Sequence, residues 1–85
     1  MKHATDSALD RVETLLMQIR RVDELQEHKR GIFYWKSRAF LHFHEDPAGM
    51  FADVRVGDDF QRLPVNSSAE RARLLAKVKE SVAGK

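Results

Sequence analysis

The hydrophobic period of this chain changes near Gly31, and that change limits what it can fold into. Upstream, Leu9, Val12, Leu15, Leu16, Ile19 and Val22 recur at steps of three and four, which is one face of an α-helix. Downstream, IFYWKSRAFLHFHE (32–45) alternates. Phe33, Trp35, Ala39, Leu41 and Phe43 fall on one face. Tyr34, Lys36, Arg38, Phe40, His42 and His44 fall on the other. MFADVRV (50–56) alternates again, with Met50, Ala52, Val54 and Val56 opposite Phe51, Asp53 and Arg55. Near the end, Leu74, Leu75, Val78 and Val82 return to helical spacing. A pattern of one period does not settle into the other structure, so the chain reads as α+β.

Caps and turns set the expected boundaries. The first helix is predicted over about 7–29. Thr5, Asp6 and Ser7 offer capping oxygens, Asp10 and Glu13 suit its positive end, and His28, Lys29 and Arg30 suit its negative end. Gly31 is a natural stop. The last turns of that helix carry few apolar residues, so they are expected to be solvated or to project past the sheet. Strands are predicted over about 32–45, bent near Lys36-Ser37, and over 50–56. The sheet is then a two-stranded hairpin or gains a third strand over 60–64, which Pro64 would end or confine to an edge. Asp46-Pro47-Ala48-Gly49 and Gly57-Asp58-Asp59 are turn chemistry. Ser67 and Glu70 have capping-box spacing and open a second helix over about 68–83. Both helices are expected on the apolar face of an antiparallel sheet. At 85 residues the whole chain, 1–85, reads as a single α+β domain with a thin core.

Pairing apolar with apolar sets the hairpin register: Leu41 opposite Val54 and Phe43 opposite Ala52. His42 then opposes Asp53, His44 opposes Phe51 and Phe40 opposes Arg55. A carboxylate beside His42 predicts that this imidazole titrates above an unpaired histidine.

Composition narrows the function. No cysteine is present, which excludes disulfides, thiolate zinc sites and cysteine nucleophiles. The N-terminus lacks the apolar run of a secretory signal, and no stretch approaches the roughly 20 apolar residues of a membrane span. The expectation is therefore a cytoplasmic protein with no membrane contact. A formal charge of +2 permits nucleic-acid binding without arguing strongly for it. Neither a P-loop nor a G-x-S-x-G pattern occurs, and the sequence offers no assembled nucleophile, base and oxyanion set.

The distinctive feature is the outward face of the hairpin. Lys36, Arg38, Phe40, His42, His44, Phe51, Asp53 and Arg55 form an aromatic and basic surface. The favoured reading is a non-enzymatic interaction surface for a protein partner or a homodimer. Binding of RNA or single-stranded DNA is second, with bases stacked on the aromatics, although the RNP1-type motif is absent. A metal or acid–base site at His42, His44 and Asp53 is third. His3 and His28 are distant in sequence, and Asp53 alone leaves the pair of histidines one ligand short of a closed zinc shell. On that count His42 and His44 are expected to be surface residues without metal. No catalytic residue and no cofactor are expected.

Overall fold

The computed structural model describes residues 2–84. The elements run β1 (Lys2–His3), α1 (Asp6–Asp10), α2 (Glu13–Arg20), β2 (Leu25–Lys29), β3 (Ile32–Trp35), β4 (Arg38–Asp46), β5 (Gly49–Val56), β6 (Asp59–Pro64) and α3 (Ser68–Ala83). The sheet is antiparallel, in the order β2-β3-β4-β5-β6. β1 pairs with β4 at Glu45 and His44, beyond the point where β3 has begun at Ile32 opposite His42. It extends the slot beside β4 that β3 leaves unfilled. Helix α3 packs across β5 and β6, and α2 packs on α3 and β2. None of the helices among the described residues is long and apolar enough to cross a membrane.

The predicted register holds: Leu41 pairs with Val54, His42 with Asp53, Phe43 with Ala52 and His44 with Phe51. The C-terminal helix also forms as its cap predicts. Ser67 Oγ accepts from Glu70 N at 3.1 Å, and Glu70 Oε1 accepts from Ser67 N at 3.1 Å. Just before it, the Asn66 side chain stands in for a strand. Asn66 Oδ1 accepts from Met50 N at 2.8 Å, and Asn66 Nδ2 donates to the Met50 carbonyl at 3.2 Å.

The N-terminal helix is shorter than its stripe suggests. Ala8, Leu9, Val12, Leu15, Leu16 and Ile19 are all buried, so the apolar face is as read. The helix breaks at Arg11-Val12 and ends at Arg20, and residues 25–29 form strand β2. Helix propensity in LQEHK is worth only a few tenths of a kcal/mol per residue. Against it stands the edge of β3, a row of backbone donors and acceptors that needs a partner. β2 supplies one, with Leu25 opposite Trp35 and Lys29 opposite Ile32. Gly31 makes the turn at φ +80°, and a Cβ there would lie 2.8 Å from Leu9 Cδ2. Arg30 then reaches back to Asp6, Asp10 and Glu13, while Arg20 joins Glu13 to Glu27.

The long predicted strand 32–45 is two strands joined by a two-residue turn. Lys36 and Ser37 both have positive φ, 54° and 65°, the pattern of a type I′ hairpin turn. Immediately beyond lies a bulge. Phe33 pairs with Leu41 but Tyr34 pairs with Ala39, which leaves Phe40 as an extra residue. Phe40 and Leu41 are both buried, at 1% and 0% exposure, so both point to the helix side. The bulge therefore reverses the alternation before it. Phe40 is in the core, edge-on to Trp35 at 5.5 Å, and not on the outer face.

Two stability measurements check this description. Phe40→Ala should cost about 3–5 kcal/mol in urea unfolding, as for a buried phenyl ring, whereas an outward Phe40 would cost under about 1. Left-handed backbone costs a non-glycine residue about 1–2 kcal/mol. Replacing Lys36-Ser37 with Asn-Gly should therefore gain about 1 kcal/mol, after loss of the Lys36 ammonium's contact with the Trp35 ring.

Candidate metal centre

The outer face of the sheet carries an assembly that alternation alone does not reveal. His42 and His44 project from β4 on the side away from the core residues Leu41 and Phe43. β1 lays His3 directly opposite His44, and antiparallel partners share a face. One ligand nitrogen from each of His3, His42 and His44 lies within 4.8 Å of the other two. The His3 ring stacks on His42 at 5.9 Å and meets His44 edge-on at 5.1 Å. Next in the row is Asp53, held by β5 opposite His42, and beyond it Arg62 on β6.

Polar contacts within the cluster are short. His42 Nδ1 lies 2.8 Å from His44 Nε2, and Asp53 Oδ2 lies 3.2 Å from the same His44 nitrogen. Arg62 grips Asp53 with two bonds, Nε to Oδ1 at 2.8 Å and a terminal nitrogen to Oδ2 at 2.9 Å. His44 is 9% exposed and Asp53 7%, so His44 is not the surface residue the sequence suggests. His42 is half-buried beside the Phe60 ring.

Protonation follows from burial. His42 is pushed below the ordinary histidine value, first by burial and then by the neighbouring His44, against a smaller upward pull from Asp53. His44 is lowered as well, again by burial first, with Asp53 pulling up. The expectation of a raised His42 is thus overturned: Asp53 already spends both oxygens on Arg62, which holds its carboxyl below the ordinary range. Both imidazoles are neutral at pH 7. A neutral His44 Nε2 either donates a proton or accepts one. As an acceptor from His42 it has no proton to donate to the Asp53 carboxylate. In either tautomer its buried Nδ1 has no hydrogen-bond partner.

The other residues expected on this face are scattered. Arg38 pairs with Trp35 and so shares the helix side with Phe40. Lys36 sits in the turn with its ammonium 4.8 Å from the centre of the Trp35 ring. Phe51 and Arg55 do stay on the outer face, but Arg55 Nε is bound to the Ala39 carbonyl at 2.8 Å and its guanidinium covers Phe60. The aromatic platform lined by Lys36, Arg38 and Phe40 is not assembled. His3, the residue that completes the cluster, gives no periodic signal because its strand is two residues long.

Comparison with protein-family models, curated proteins and solved structures returns no match. The chemistry of the cluster has to carry the functional argument.

Acid stability tests the protonation states. Below the ordinary histidine value of 6.5, the unfolded chain takes up protons that native His42 and His44 do not. The unfolded state then binds more protons, so stability falls as pH drops through 6.5 toward the lowered native values. Asp53 contributes no slope there, because its lowered carboxyl releases stability only below its ordinary 3.8. Urea unfolding from pH 7.5 to 5.5 should show this decline, and His44→Gln should flatten it. A slope unchanged in His44→Gln would contradict the neutral buried ring.

Proposed function

We propose that this protein binds a divalent transition-metal ion through His3, His42 and His44. The observation that carries the reading is the convergence of three imidazole nitrogens within 4.8 Å, from two strands that meet only in the folded sheet. Neutral imidazole is a ligand for zinc, copper, iron and nickel, and three of them suffice for a metal with one further ligand. Burial supports the reading, since neutral rings need shed no proton before they ligate. The reading reverses the expectation of metal-free histidines, which counted His3 as distant.

Metal in this position ties the N-terminal strand to the centre of the sheet. The test is calorimetric titration of Zn(II) into the full chain, purified without a polyhistidine tag. One ion per chain at micromolar or tighter affinity is expected, together with a raised melting temperature. His3→Gln, His42→Gln and His44→Gln should each weaken binding at least about tenfold. Binding that survives all three substitutions, or none in the parent chain, refutes the reading.

A second reading, self-association, is favoured by one observation. Phe60 on β6, 39% exposed, and Val56 on β5, 43% exposed, present apolar side chains at the β5–β6 hairpin, where β6 ends the sheet order. Light scattering in the same solutions separates the two, because a dimer mass without metal supports only the second.

A further inference from the structure

We infer that Asp53 is the fourth ligand of this centre, and that Arg62 is the cation that a bound metal displaces from it. The inference rests on the three-histidine reading above and adds the residue that closes the site and the one that opposes it.

Distances carry the first half. Metal–ligand bonds of about 2.0–2.1 Å in tetrahedral geometry place neighbouring ligand atoms about 3.3 Å apart. Asp53 Oδ2 and His44 Nε2 are already 3.2 Å apart, and His44 Nε2 and His42 Nδ1 are 2.8 Å apart. Two edges of one face of the polyhedron, both meeting at His44 Nε2, are thus already close to the required length. A single proton on His44 Nε2 cannot serve both contacts well. A dication beside all three atoms can. His3, exposed on a two-residue strand, is the ligand free to close the fourth corner.

Charge carries the second half. The carboxylate of Asp53 brings a charge of −1 to the site, and the two-bond grip of Arg62 at present balances it. A dication bound to Oδ2 would lie about 4–5 Å from the guanidinium nitrogen that now holds the same oxygen, and like charges at that separation repel strongly in a partly buried site. The Arg62 side chain is 51% exposed, whereas that of Asp53 is 10% exposed. Arg62 can swing into water while Asp53 stays in place. Arginine and metal therefore compete for one carboxylate.

Zn(II) titration of the parent chain, Asp53→Asn and Arg62→Gln tests this, again without a tag. Asp53→Asn should bind at least about tenfold more weakly, as for loss of a ligand. Arg62→Gln should bind about tenfold more tightly, because the competing cation is gone. Arg62 is exposed, so its variant reports even if Asp53→Asn does not fold. In the parent chain, NMR should show the Arg62 Nε–H losing its bond to Asp53 as Zn(II) is added. Unchanged affinity in Arg62→Gln, or weaker binding there, overturns the inference while leaving the histidine reading intact. No Zn(II) binding by the parent chain removes both.

Discussion

The pairing of β4 with β5 is the constraint on which the rest of the molecule depends. Because side chains alternate with a period of two, one register sends Leu41, Phe43, Ala52 and Val54 to the helices and His42, His44 and Asp53 away from them. A slip of one residue on either strand would bury imidazoles and a carboxylate against Leu74 and Val78. The penalty for burying such groups unpaired exceeds anything the turns could return. The candidate site is therefore a by-product of the core. For His42, His44 and Asp53 the geometry is as fixed as the packing beneath them, which is what a metal centre asks of its scaffold.

The helical layer is held to this sheet by apolar packing, and the arginines decide where its ends lie. Arg30, at the β2–β3 turn, binds acids from α1 and from the start of α2, and Arg20, at the end of α2, binds Glu27 in β2. These pairs are largely exposed and individually weak. Their effect is positional. They pin a two-part helix over the hairpin, and Glu27 also caps the turn by accepting from Gly31 N at 3.0 Å.

What the sequence discloses and what it hides follow from range. The capping box at Ser67 and Glu70, the apolar stripe of the first helix and the register of β4 on β5 are local or nearly local, and each is legible. Residues 25–29 are not, because their own propensity is helical and only the unpaired edge of β3 makes them a strand. Phe40 is misread because alternation carries no mark of an inserted residue. Lys36-Ser37 lacks the Asn-Gly signal of its turn type, so a hairpin looks like a bent strand. At the site, His42, His44 and Asp53 are legible through register. His3 is not, since forty-one positions separate it from His44 and two residues cannot show a period.

The Asn66 side chain has a consequence for the lifetime of the fold. Its amide ends the sheet by presenting a donor to the Met50 carbonyl and an acceptor to the Met50 amide, an arrangement that only a carboxamide provides. Spontaneous hydrolysis of that amide would leave two acceptors. One would still receive the Met50 N–H, but the other would face the Met50 carbonyl across 3.2 Å, oxygen against oxygen. The strand end that carries Met50, itself buried, would then lose one of its three hydrogen bonds to the segment that leads into α3, keeping its own N–H bond and the one its carbonyl accepts from Val65 N. Chemical ageing at that one asparagine would thus act at the seam between sheet and helix.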